Sequence, residues 1–196
     1  MELWFSEYHT PDVKHSIRVN RHLYSHQSEY QQIDIYDTPE FGRALVLDGN
    51  VMLTERDEFI YDEMITHVPM AAHPGIRDVL VIGAGDGGVV KELTRYASIQ
   101  RIDLVEMDYQ VVEACRLYLP ENASKLDDER VHIYFDNALR FIRRCKDAYD
   151  LIIVDSMDPF GPSEGHFTRE FYGICYNALH DDGILVNQQG SPFYKH

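Results

Sequence analysis

The first 55 residues carry four short runs that read as strands, SIRVNRHLYS, QQIDIYDT, RALVLD and VMLTE, with TPEFG and DGN as turn signals between them. Asp48-Gly49 is the strongest hairpin mark among them. The period then changes. In ERDEFIYDEMITHVPMAAHP the apolar residues Phe59, Ile60, Met64, Ile65 and Val68 recur at helical intervals, and Pro69 lies near the end. From Asp78 onward five apolar runs, DVLVIG, RIDLVEM, VHIYF, YDLIIVD and GILVNQ, alternate with the helical patterns GGVVKELTRYA, YQVVEACRLYL, NALRFIRRC and TREFYGICYNAL. Near-continuous apolar strands alternating with helices predict a parallel sheet covered on both faces, with right-handed crossovers and a ligand at the carboxyl ends of the strands. The expected fold is α/β: a doubly wound, Rossmann-like sheet over residues 56–196, preceded by a small antiparallel β-domain over residues 1–55. QQGSPFYKH follows the fifth strand directly, so the expectation is that a partner covers that sheet edge or that the natural protein is longer.

Composition narrows the function classes. The 196 residues are 44% hydrophobic and 12% aromatic, which suits a packed core. No apolar run approaches the roughly 20 residues that span a bilayer, and MELWFSEYHTPD lacks the basic flank and apolar core of an export signal. Cys115, Cys145 and Cys175 are odd in number and unpaired by spacing, as expected of reduced thiols in a cytoplasm. The formal net charge of −15 opposes binding to nucleic acid and would attract a cationic substrate. Among ten histidines only His22 and His26 are close at helical spacing, in a segment that reads as strand, so no metal site is expected.

Four of the five strands end in polar residues where a ligand should sit. The first delivers Gly83, Gly85 and Asp86 in a GxGxxG-type turn. The second ends in Glu106, 21 residues beyond Gly85, where a carboxylate can accept both hydroxyl protons of a ribose. The third ends in Asp136-Asn137-Ala138, placed to read the edge of a base. The fourth ends in Asp155-Ser156-Met157-Asp158. Each has a bland alternative as a turn or helix cap; together they point to a nucleoside.

Asp86 then defines which nucleoside. A carboxylate in the turn repels a pyrophosphate, and it disfavours a ligand arm that carries its own carboxylate. It suits a sulfonium nucleoside whose arm ends in an ammonium. Decarboxylated S-adenosylmethionine meets that description.

The segments ERDEFIYDEM, VIGAGDGGVVKEL, LVEMD, LDDERV and VDSMDPFGPSEGHFTREFY together resemble the spermidine synthase family of aminopropyltransferases. The resemblance runs from Trp4 to the fifth strand. It implies a methyltransferase-type Rossmann domain, a homodimer or homotetramer, and aminopropyl transfer from decarboxylated S-adenosylmethionine to putrescine. The product nucleoside would be 5'-methylthioadenosine, and no tightly bound cofactor is implied. Asp155 matches the proton acceptor, Tyr61 the tyrosine beside the reacting amine, and Asp86 and Asp158 the polyamine and aminopropyl contacts. Gln31, Glu106, Asn137, Ala138 and Pro162 fall where the family binds the nucleoside, and residues 156–168 resemble its gating loop. Asp62 stands where relatives commonly have His or Gln. Either it adds a carboxylate to the amine side, favouring a more cationic acceptor such as agmatine, or it faces water. Asn137 replaces a usual Asp, and relatives continue beyond the fifth strand. Other candidate classes are an S-adenosylmethionine-dependent methyltransferase, an NAD-dependent oxidoreductase, and a non-catalytic nucleoside or polyamine binder.

Overall fold

The computed structural model describes residues 2–156 and 168–189. Strands β1 (Leu3–Thr10) and β2 (Val13–Val19) form an antiparallel hairpin. Strands β3 (Arg21–Gln27), β4 (Gln32–Thr38), β5 (Gly42–Leu47) and β6 (Asn50–Thr54) form a four-stranded antiparallel sheet in sequence order. The run SIRVNRHLYS is thus two strands, parted at Asn20, whose N–H donates to the Asp37 carbonyl at 2.8 Å. The sequence pattern offers no strand over Leu3–Thr10, because Leu3, Trp4 and Tyr8 are all exposed there and no clean alternation marks an inner face.

Helix α1 (Glu58–Ala72) continues three residues past Pro69. Proline in the last turn removes one backbone donor, and the helix ends soon afterwards. The period is helical as expected, but the face is not. Ile60, Met64 and Val68 are 58%, 62% and 55% exposed, whereas Asp62, Ile65, Thr66 and Met70 are buried.

Strands β7 (Asp78–Gly83), β8 (Arg101–Glu106), β9 (Val131–Phe135), β10 (Tyr149–Asp155) and β11 (Leu179–Asn187) form one parallel sheet in the order β11-β10-β7-β8-β9. Alternate residues bury on opposite faces. Val79, Val81, Ile102, Leu104, Leu151 and Ile153 pack with Val89 and Val90 of α2 (Gly88–Leu93) and with Val111 and Val112 of α3 (Tyr109–Tyr118). Leu80, Ile82, Val105, Ile152 and Val154 pack with Ile142 of α4 (Ala138–Ile142) and with Phe171 and Cys175 of α5 (Arg169–Ala178). Both faces are therefore covered, which is why these strands read as unbroken apolar runs. Ile33, Ile35 and Leu45 of the N-terminal sheet join the first of these clusters, so the two parts of the chain share a core. Each such side chain contributes about 1.5–3 kcal/mol by leaving water.

From β7 the chain steps outward through β8 and β9, then returns to the other side of β7 for β10 and β11. The order reverses between β7 and β10, and their register pairs Gly83 with Asp155. A doubly wound sheet opens its ligand crevice at such a reversal.

Candidate active site

The turn leaving β7 is held by backbone conformations that few residues accept. Gly83 has φ +79° and Gly87 φ +94°; Ala84, which does carry a Cβ, has φ 59°. A non-glycine residue in this region costs about 1–2 kcal/mol, and strain of this kind gathers at functional turns. The sequence assigns Gly83 and Gly85 to ligand approach, yet both already serve the protein's own contacts. A Cβ on Gly83 would lie 1.9 Å from the Asp155 carbonyl oxygen, and one on Gly85 would lie 2.8 Å from Glu106 Oε2. The glycines let the ends of β7, β8 and β10 close upon one another.

That closeness gathers acids. Tyr61 on α1 donates its hydroxyl to Asp155 Oδ1 at 2.6 Å. Burial and the charge of Asp86 push the Asp155 carboxyl up to about 7, against the lowering effect of the Tyr61 hydrogen bond. Asp86 Oδ1 accepts from the Gly88 N–H at 2.9 Å, and burial raises its proton affinity too. The Tyr61 hydroxyl is driven far above its ordinary range by burial and by Asp155, so it stays protonated and acts as a donor. Lys91 on α2 reaches Glu58 Oε1 at 2.8 Å.

Asp62 departs from one of the two sequence expectations. It is 5% exposed, so it does not face water, and it packs against Gly88, where an added Cβ would lie 2.0 Å from Asp62 Oδ2. Burial, a hydrogen bond with Glu58 and the charge of Asp86 push its carboxyl up to about 10. It lies under the acid group, where burial beside other acids disfavours the ionised form.

On the other side of β7, Glu106 Oε1 accepts from the Asp108 N–H at 2.9 Å, and burial pushes the Glu106 carboxyl up to about 7. Asp108 is 2% exposed and accepts from the Gln110 N–H at 3.1 Å, capping α3. Its other oxygen accepts from Ser28 Oγ at 2.6 Å and from Gln31 Nε2 at 3.2 Å. The loop before β4 is thereby fixed to the end of β8, with Gln31 bonded to Asp108. Beyond it lies a depression of about 360 Å³ lined by Tyr30, Met107, Phe135, Asp136, Asn137 and Arg140.

Asp136 does not stand free to read a base. Its Oδ1 accepts from the Asn137 N–H at 2.7 Å and from Arg140 Nε at 2.7 Å, and its Oδ2 accepts from Arg144 at 2.8 Å. A second nitrogen of Arg140 also meets Oδ1. Three of these donors converge on Oδ1 and one meets Oδ2, so most of the carboxylate's accepting capacity is taken by the protein itself. Asn137 caps α4 by accepting from the Arg140 N–H at 3.1 Å, and Ala138 is buried in the first turn behind it. Ser28, Tyr30, Met107 and Asp108 join the site without having been singled out in the sequence; only Met107 and Asp108, inside LVEMD, left a signal there.

Ser156 is 8% exposed at the end of β10. Met157, Asp158 and Pro162, and the loop between Ser156 and Thr168, lie outside the described residues. Among the described residues, Glu63, His67 and Glu92 come close enough to share an ion. Arg95 already pairs with Glu92 at 2.5 Å and with Glu63 at 3.8 Å, which makes the group an ion-pair network with its own cation. No helix among the described residues is long and apolar enough to cross a membrane.

Residues 58–196 match the family description "Spermine/spermidine synthase domain", and residues 3–55 match "Spermidine synthase tetramerisation domain". A polyamine aminopropyltransferase of Lachnoclostridium phytofermentans is 63% identical over 194 residues, covering 99% of this chain and 69% of the relative. One from Alkaliphilus oremlandii is 61% identical over 194 residues, covering 99% and 68%. A spermidine synthase solved in complex with the transition state analogue AdoDATO superposes with a TM-score of 0.96 at 43% identity, covering 98% of this chain and 66% of that one. The spermidine synthase of Thermotoga maritima gives a TM-score of 0.93 at 43% identity, covering 98% and 65%. The chain thus spans about two thirds of the length of the proteins it matches.

Proposed function

Since the chain belongs to the spermine/spermidine synthase family of transferases, we propose that it moves the aminopropyl group of decarboxylated S-adenosylmethionine onto putrescine, giving spermidine and 5'-methylthioadenosine. The observation that carries this reading is the meeting of Asp155, Tyr61 and Asp86 at the sheet reversal, with Tyr61 bonded to Asp155 at 2.6 Å. Supplying the purified protein with both substrates and detecting spermidine and methylthioadenosine by mass spectrometry tests it. Tighter binding of intact S-adenosylmethionine than of the decarboxylated form would speak for a methyltransferase instead.

The reaction is an in-line displacement in which a primary amine attacks the methylene next to sulfur. Such an amine resembles lysine, with a pKa of about 10.4, so at pH 7 about one in 2,500 is the free nucleophile. Making that form dominant costs about 4.6 kcal/mol at 1.36 kcal/mol per pKa step. Burial in the crevice and the neighbouring sulfonium both favour the neutral amine. Asp155 takes the proton as the bond forms, and a carboxyl near 7 is well matched to that task. Tyr61 orients the nucleophile. Asp86 and Asp158 hold ammonium groups, with Ser156 and Met157 beside them. Glu106 and Gln31 hold the ribose end, while Gly83, Gly85, Asn137, Ala138 and Pro162 shape the nucleoside side. Decarboxylated S-adenosylmethionine is a co-substrate, and no resident cofactor is invoked.

The sign of the pH dependence follows. Below about 7 Asp155 carries its proton and accepts none, so kcat/KM should rise with pH through that value. A rate profile that stays flat from about pH 5.5 to 7.5 would remove Asp155 from the role of base. Asp86 supports a second expectation. A charge-assisted hydrogen bond contributes about 1.5–3 kcal/mol, so Asp86→Asn should cut the preference for decarboxylated over intact S-adenosylmethionine by about 10- to 100-fold. Competition binding of the two nucleosides measures it, and unchanged selectivity would refute the pairing.

Residues 1–55 are read as the oligomerisation part, in a homodimer or homotetramer, which also lends Gln31 to the pocket; the match to a tetramerisation domain supports this. A cytoplasmic location fits the three unpaired thiols, Cys115, Cys145 and Cys175.

A further inference from the structure

We propose that Asp62 and Glu58 hold one proton between them beneath the amine subsite, so that Asp62 meets a bound donor as a neutral hydrogen-bonding acid, and that a cation seated at Asp86 drives this proton off. The two carboxyls are four residues apart on α1, the spacing at which like charges repel. Glu58 Oε2 and Asp62 Oδ2 are both sealed from solvent, and apart from the contact between the two carboxyls themselves neither has a hydrogen-bond partner among the described residues. Lys91, the neighbouring cation, meets Glu58 through the other oxygen, Oε1, at 2.8 Å. An unsatisfied buried carboxylate oxygen costs about 1–3 kcal/mol or more, and two of them side by side cost more again. A single proton satisfies both, as an O–H···O⁻ bond.

The surroundings hold the proton in place. Gly88, bare of a side chain, closes over Asp62 Oδ2. Charged and titratable groups face the pair from every element around it: Tyr61 on α1, Lys91 on α2, Asp86 in the turn and Asp155 on β10. All but Lys91 are acids or potential acids. The raised proton affinity of Asp62, to about 10, agrees with this geometry. Hydrogen bonds from Asp62 and Lys91 outweigh burial and keep Glu58 below its usual range, so the proton resides mainly on Asp62.

The shared proton stands independently of the proposed reaction; its release by a cationic ligand rests on that reading. The first measurement therefore uses the free protein. Infrared difference spectra at about pH 8.5, above the values near 7 of Asp155 and Glu106, should contain a protonated-carboxyl C=O stretch that Asp62→Asn removes. Glu58→Gln leaves Asp62 in place but substitutes an amide donor for the shared proton, and should move the titration of that band to lower pH. No such band in the native protein, or a band whose intensity Asp62→Asn leaves unchanged, would overturn the proposal. Thermal melting reads the same proton. An unfolded Asp ionises near 3.9, so stability supplied by a raised native value is present at low pH and lost as pH rises. The melting temperature should fall toward pH 10 less steeply in Asp62→Asn than in the native protein; equal slopes would count against it. For release, calorimetry in two buffers of different ionisation heat should register up to one proton liberated by decarboxylated S-adenosylmethionine and none by methylthioadenosine. Equal liberation in Asp62→Asn would overturn the coupling while leaving the transferase reading intact.

Discussion

Asp155→Asn is expected to lower kcat by about 10²- to 10⁴-fold, the usual contribution of a positioned general base, while affinity for methylthioadenosine stays essentially unchanged. Asparagine keeps the shape of the side chain, and its amide oxygen can still accept the Tyr61 hydroxyl that now lies 2.6 Å from Asp155 Oδ1. What it cannot do is accept the proton of the attacking amine. The proposed nucleoside contacts, Glu106 and Gln31, lie on the other side of β7 and are not touched by the change. Steady-state rates paired with equilibrium binding of methylthioadenosine separate the two effects. Equal losses in both would mean that Asp155 builds the pocket instead of moving a proton.

Gly83→Ala should be the most damaging small substitution in the sheet. The residue combines φ +79° with a position where a Cβ would lie 1.9 Å from the Asp155 carbonyl oxygen. Backbone, unlike the end of a flexible side chain, cannot swing aside. Strain in the left-handed region costs about 1–3 kcal/mol and overpacking another 1–3 kcal/mol, with both falling on the two central strands. A protein of this size loses about 2–4 °C in melting temperature per kcal/mol, so a drop of roughly 4–24 °C is expected. Gly173→Ala provides the contrast. That glycine lies in α5 with nothing within 4 Å of an added Cβ, and alanine should stabilise the helix by about 0.5–1 kcal/mol. Similar melting temperatures for the two variants would contradict this account of the turn.

The parallel sheet was legible because burial on both faces writes itself into the sequence. DVLVIG, VHIYF and YDLIIVD coincide with β7, β9 and β10. The edge strand β9 still shows as VHIYF although Tyr134 and Phe135 are exposed, but elsewhere, where burial is one-sided or partial, the pattern failed. Leu3, Trp4 and Tyr8 are apolar yet exposed, so β1 left no signature, and Asn20 alone was too weak a break to separate β2 from β3. On α1 the helical period was right and the inward face wrong, since packing against α2 buries Asp62 and Thr66 and leaves Met64 outside.

The site divides in the same way. Acids at strand ends can be recognised by position, which brought out Asp86, Glu106 and Asp155. Whether an acid is free or already occupied depends on neighbours that the strand pattern does not show. Asp136 was read as open although Arg140 stands four residues on and Arg144 eight. One reading of Asp62 left it facing water, as an acid on a helix ordinarily does, whereas it is buried. Ser28 and Asp108 are 80 positions apart, and only the folded chain brings them together.

The link from Ser28 and Gln31 to Asp108 has a consequence for recombining relatives. The N-terminal module looks like a mount for assembly, but one of its loops is fastened to the residue that both starts α3 and donates to Glu106. On the proposed reading, a chimera that exchanges residues 1–55 for those of another family member would import that member's grip on the sugar together with its contacts to sister subunits. Cosubstrate affinity and quaternary arrangement would then be inherited as one package.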